Sequence, residues 1–158
     1  MAASPLIGAY ERLHGLPLGR RIFSLLYSAA APYFLTIPAR VESVSAGEAR
    51  AVMAHAPWVR NHLGTVHAIA LCNLAEYTMG VVAEATVPRT HRWVPKGMTV
   101  EYRALARGTM RATATLALPD PFAAPVELPV AVRVADRDGT EVFTAEIRIW
   151  ITEKKESA

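Results

Sequence analysis

The chain has 158 residues, of which 52% are hydrophobic and 20% charged, with a net charge of +3 and a single cysteine. That length suits one domain, which on folding hides roughly 68–70% of the surface its unfolded chain exposes, and the composition is globular rather than disordered. One thiol excludes an internal disulfide and every paired-cysteine zinc motif. The basic residues are dispersed, with Arg20-Arg21 and Lys154-Lys155 the only adjacent pairs, so the charge does not mark a nucleic-acid surface.

In chain order, residues 6–31 read as helical, interrupted at Gly15-Leu16-Pro17 and stopped by Pro32. Within them "RRIFSLLYSAAAP" (Arg20 to Pro32) has the outline of a twin-arginine export signal. The same stretch sets Leu18, Ile22, Leu25, Leu26 and Ala29 at helical spacing, so the expectation is an ordinary amphipathic helix. No apolar run is long enough to span a bilayer; the single cysteine, which allows no internal disulfide, is the ground on which a cytoplasmic location is expected. Two short strands follow. Val41 and Val44 mark the first, Ala51, Met53 and His55 share a face of the second, and "SAGEA" (Ser45 to Ala49) turns between them.

The segment "NHLGTVHAIALCNLAE" (Asn61 to Glu76) then opens a helix running to about Thr86, with Thr65 the expected N-cap. This helix is apolar nearly all round and therefore built for burial, with Cys72 as a small hydrophobe inside it. Its lone early carboxylate, Glu76, is costly there unless paired or used. Asn73, Glu76 and Gly80 form one stripe, on which Gly80 leaves room for a ligand or another backbone. Asn61, His62 and His67 gather at the entrance, where first-turn amides lack partners and the helix dipole favours negative charge. An oxyanion there would meet fixed donors, with Glu76 two turns further in facing the same pocket as base or nucleophile. The residues alone leave a structural alternative open. Glu76 would then pair with a strand arginine such as Arg103 or Arg111, and the Asn and His residues would serve as caps and turns.

Pro88 and Pro95 bracket an irregular connection, after which the apolar period becomes two. Met98 to Ala104, Met110 to Leu118, Val126 to Val134 and Phe143 to Ile151 read as four strands. "RDGT" (Arg137 to Thr140) is a tight hairpin, since Asp138-Gly139 tolerates positive φ, and "PDPFAAP" (Pro119 to Pro125) is a looser connection. The order implies an α+β protein whose antiparallel sheet covers one side of the long helix. The N-terminal helix or a second subunit must close the other side. His14, His55, His62, His67 and His91 form no HExxH set, so no metal site is expected, and no GxSxG elbow is present.

The spacing of Asn61, His67 and Glu76 resembles the signature of hotdog-fold thioesterases, specifically the PaaI-like branch acting on acyl-CoA. That signature is an Asn, a His six residues later followed by small residues, and an acid nine residues beyond. "MTVEYRALARG" (Met98 to Gly108) resembles the strand and turn that follow the central helix of that fold. The likeness spans residues from about 37 to 152 and is strongest to a branch without assigned substrates. It implies a helical extension at 1–36, a hotdog domain at 37–152 with its central helix wrapped by antiparallel sheet, and a tail at 153–158.

The resemblance also implies roles. The Ala68 N–H, next to His67, would form the oxyanion hole, Asn61 would orient the thioester or water, and Glu76 would be nucleophile or general base. Ile69, Asn73, Gly80 and Trp93 would line the substrate, and Arg89, Arg92, Lys96 and Arg107 would hold the coenzyme A phosphates. No cofactor is implied beyond the coenzyme A of the substrate. The site would lie at the interface of a homodimer, with a dimer of dimers as a further assembly. Two departures stand out: His67-Ala68-Ile69 replaces the family's His-Gly-Gly, and "RWVPKG" (Arg92 to Gly97) lacks a water-holding hydroxyl residue. The expected function is acyl-CoA thioesterase. The alternatives are a non-hydrolytic acyl-binding hotdog protein and, ranked lower, a hotdog hydratase or dehydratase.

Overall fold

In the computed structural model, residues 4–154 are described. Two helices, α1 (Pro5–Leu13) and α2 (Gly19–Ala30), lead through a 3-10 turn at Pro32–Thr36 into strands β1 (Ala39–Ser45) and β2 (Glu48–Met53). The long helix α3 (Ala68–Thr86) follows, then β3 (His91–Tyr102), β4 (Met110–Thr115), β5 (Val126–Ala135) and β6 (Glu141–Glu153). The expected order of elements holds, as do the helix break before Gly19 and the stop at Pro32. The break is enforced sterically: a Cβ on Gly19 would lie 1.6 Å from the Leu13 carbonyl oxygen, so only glycine lets α2 start against the end of α1.

The six strands form one antiparallel sheet in the order β1-β2-β4-β5-β6-β3. Period-two alternation sends Met53, Val132, Ile147 and their neighbours to one face, where they are fully buried with Leu74, Met79 and Val82 of α3. That accounts for one side of the apolar helix. The N-terminal elements cover part of another: Tyr27 and Phe34 each meet Tyr77 of α3 edge-on at 5.3 Å between ring centroids. Polar ties hold these elements in place. Ser4 donates to the Glu84 carbonyl of α3 at 2.7 Å, and the Ser24 hydroxyl accepts the Val41 N–H of β1 at 2.8 Å.

Three local expectations need correction. Strand β3 begins at His91, not Met98, and runs through Pro95. Proline is tolerated there because β3 is a sheet edge, paired only to β6, with the register shifting between Pro95 and Gly97. The β5–β6 loop does not place both Asp138 and Gly139 at positive φ; only Gly139 is (87°). Instead the Asp136 carboxylate accepts the N–H groups of Asp138 and Thr140, each at 2.9 Å, an Asx-type loop. His55 lies beyond β2 rather than on it. Among the described residues no helix is long and apolar enough to cross a membrane.

Candidate functional site

The approach to α3 is a small closed loop. The Asn61 Oδ1 accepts from the Leu63 N–H at 3.0 Å, the Thr65 N–H at 3.2 Å and the Thr65 hydroxyl at 3.1 Å. Its Nδ2 donates to the same hydroxyl at 2.8 Å. Gly64 completes the reversal with φ 73°. Thr65 is thus spent inside the loop, and the N-cap is His67, whose Nδ1 accepts the Ile69 N–H at 3.1 Å. The next residues are pinned to the strands' side: the Val66 N–H donates to the Ala106 carbonyl and the His67 N–H to the Val59 carbonyl, both at 2.8 Å. His62 stays exposed on the loop.

This arrangement settles the first-turn donors one by one. Ile69 is capped by His67, and the Ala70 and Leu71 N–H groups reach the His67 carbonyl. The Ala68 N–H alone has no acceptor among the described residues. A helix N-terminus with one free donor can receive an anion. Exposed apolar side chains surround it: Ile69 is 57%, Leu105 60% and Tyr102 52% accessible. Cys72, one turn on, is half-buried rather than buried as expected, with its Sγ 3.3 Å from the Tyr102 hydroxyl. That contact, and then burial, pushes the Tyr102 hydroxyl up to about 12.

Glu76 makes no ion pair among the described residues. The alternative of an arginine partner fails for Arg103, which binds Glu101 at 2.8 Å and Glu141 at 3.3 Å, and Arg111 stays exposed on β4. Glu76 instead borders a cavity of 460 Å³ with Leu6, Tyr27, Phe34, Met79, Trp93 and Pro95. Its stripe neighbours are differently engaged. Asn73 is buried, donating to the Thr36 hydroxyl at 3.0 Å, and its Oδ1 is unpaired among the described residues. The room at Gly80 is taken by Tyr27, whose hydroxyl oxygen would lie 2.5 Å from a Cβ there. The neighbour admitted by Gly80 is therefore a side chain of this chain, not a ligand or a backbone. Burial, with Tyr77 next in weight, drives the Tyr27 pKa upward.

Ala68 and Glu76 are eight residues apart on one helix, about 12 Å along its axis. The expectation that both face one pocket therefore does not hold within a single chain. The basic residues also divide. Arg89 and Arg92 line a cleft of 370 Å³ with His91 and Lys154 at the far end of α3. Arg107 follows Ala106, beside the helix start, and the Lys96 ammonium sits 5.3 Å from the Trp150 ring centroid. Trp93 does line the cavity, its indole N–H donating to Glu84 Oε1 at 3.0 Å. Tyr27 and Phe34 escaped sequence reasoning as lining residues; the only hint was a glycine on a helical stripe, which asks for a bulky neighbour. Among the described residues no three His, Cys, Asp or Glu gather closely enough to hold a metal ion.

The chain matches the model of a domain family of unknown function, DUF4442, over residues 19–151. Among solved structures, a structural-genomics target is 36% identical and superposes with a TM-score of 0.80, over 96% of this chain and 98% of its own. The PaaI protein of the E. coli phenylacetic acid degradation operon is 14% identical, with a TM-score of 0.63 over 80% of this chain and 90% of its own. A hypothetical thioesterase from Streptococcus pneumoniae TIGR4, solved with coenzyme A, is 13% identical, with a TM-score of 0.63 over 75% and 88%. No curated protein matches the chain. At such identities the last two bear on the fold, which is the hotdog fold, PaaI included, as the sequence resemblance implied.

Proposed function

The chain belongs to the DUF4442 domain family, and we propose that it hydrolyses acyl-coenzyme A thioesters at a site shared between two copies of the chain. One observation carries this reading: the free Ala68 N–H and the unpaired Glu76 carboxylate are the two groups thioester hydrolysis needs, yet they are about 12 Å apart along α3. A second copy supplying Glu76 opposite Ala68 removes that separation. The exposed apolar residues around the helix start are the surface such a copy would cover.

In this reading the thioester oxygen lies against the Ala68 N–H. The Glu76 carboxylate acts on the carbonyl carbon, directly or by taking a proton from an attacking water. The tetrahedral oxyanion is stabilised by the Ala68 N–H and the helix dipole, a contribution of about 3–4 kcal/mol for a well-placed donor. Collapse breaks the C–S bond and the thiolate leaves, taking up the proton that Glu76 accepted from the water. Where Glu76 attacks directly, the acyl–Glu76 anhydride is then cleaved by water, which frees the acid and restores the carboxylate. General-base help adds roughly 10²–10⁴-fold. The coenzyme A bound by the pneumococcal protein supports the choice of thiol carrier.

A second reading, an acyl-binding protein without turnover, draws on the His67 cap. Because His67 Nδ1 takes the Ile69 N–H, a single backbone donor is left for an oxyanion.

Thiol release from an acyl-CoA panel decides between them. Position 68 is the first residue of α3, and His67 has φ −66° and ψ 140°, the conformation that tolerates a following proline. Ala68→Pro therefore deletes the proposed donor and leaves the helix in place. Hydrolysis is expected to fall about 10²–10³-fold in Ala68→Pro, and at least as far in Glu76→Gln, with little change in Tm. Wild-type protein that is stabilised by acyl-CoA but releases no thiol would establish the binding reading instead.

A further inference from the structure

We propose that the N-terminal helical pair forms the acyl-binding wall of this enzyme, and that Tyr27, seated on the Gly80 notch, limits the acyl group to medium chain length. The inference rests on the thioesterase reading above and names the substrate class of the same site. The cavity beside Glu76 extends along α3 to Glu84, eight residues and about 12 Å further on. Between those two carboxylates its lining is apolar: Leu6 comes from α1, Tyr27 and Ala30 from α2, Phe34 from the 3-10 turn, Met79 from α3 and Pro95 from β3. Its 460 Å³ falls in the range of small-ligand pockets.

Chemistry selects the occupant. Glu76 has to lie against the reacting carbonyl, so a group bonded to that carbonyl enters the cavity next to it. An alkyl tail needs no hydrogen-bond partner there, whereas the amides of the pantetheine arm would be left unsatisfied on this lining. At the far end stands Trp93, whose indole N–H is held by Glu84; a longer chain would have to displace that pair. The near wall is fixed by Tyr27. Its ring stacks on Phe34 with 6.1 Å between centroids and meets Tyr77 edge-on at 5.3 Å, and it reaches the helix because residue 80 has no side chain. Residues before Ile37 thus supply half of the residues lining the cavity and most of the apolar ones.

The test uses two variants of the full chain and two readouts. Hydrolysis is followed with butyryl-, octanoyl- and palmitoyl-CoA, and binding with S-octyl coenzyme A, a thioether that cannot be hydrolysed. Ala31 also lines the cavity, so Ala31→Phe fills it, and the octanoyl-to-butyryl ratio of kcat/KM is expected to fall about tenfold or more, with weaker S-octyl coenzyme A binding. Tyr27→Leu shortens the wall, and the palmitoyl-to-octanoyl ratio is expected to rise. If no thioester is hydrolysed but S-octyl coenzyme A binding still weakens in Ala31→Phe, the thioesterase reading falls and the wall stands. An unchanged chain-length profile together with unchanged S-octyl coenzyme A binding in both variants overturns the wall. So does an equal loss at every chain length, which would put the coenzyme arm in the cavity.

Discussion

Tyr77 is fully buried in α3, and its hydroxyl has no hydrogen-bond partner among the described residues. Burial pushes its pKa from 10.0 up to about 12, with the nearby hydroxyls of Ser24 and Ser28 pulling the other way. Below pH 10 the tyrosine is protonated whether the chain is folded or not, and its contribution is intact. Above that, the unfolded chain releases the proton while the folded chain holds it, so stability is lost as pH rises from 10 towards 12. Tyr77→Phe removes both the unpaired hydroxyl and the titration. We expect it to be at least as stable as wild type at neutral pH and to lose less stability between pH 10 and 12, measured by chemical denaturation. An alkaline loss as steep as that of wild type would contradict this account of Tyr77.

At the scale of elements, α3 was legible because an all-round apolar helix admits only a buried place, and the β5–β6 hairpin because its alternation is uninterrupted. The start of α3 was not. Thr65 is a good cap by residue type, but Asn61, four residues earlier, claims its hydroxyl and leaves the capping to His67. Pro95 hid the first half of β3, since a strand proline is tolerated only at an edge or bulge, and edge position is a property of the whole sheet. Next to that edge strand, Leu105, Ile69 and Tyr102 form the exposed apolar surface around the helix start. If a second copy covers it, light scattering of the wild type should give twice the 17.2 kDa chain mass. Leu105→Asp should then shift the protein towards single chains and lower hydrolysis in proportion. A wild-type protein that is active as a single chain would rule out the shared site.

Over the whole molecule, the order of one long apolar helix and antiparallel strands could be read from the sequence because it rests on local periodicity, and the hotdog fold followed from the family resemblance carried by the Asn61, His67 and Glu76 spacing. What could not be read was where those residues stand relative to one another. Asn61 holds a loop together, Gly80 receives Tyr27 rather than a ligand, and Arg107 lies at the opposite end of α3 from Arg89 and Arg92. These outcomes depend on the N-terminal elements and on the helix rise, which join residues far apart in sequence. The same geometry makes the central claim that neither chain alone holds a complete site. Mixing Glu76→Gln with Ala68→Pro protein, each inactive by itself, tests it most directly. After subunit exchange, half of the pairs contain one copy of each variant, and one of their two sites combines an intact Ala68 N–H with an intact Glu76. Thiol release is expected to return to about a quarter of the wild-type rate in a two-fold symmetric pair. A mixture that exchanges subunits yet stays as inactive as its components would contradict the shared site.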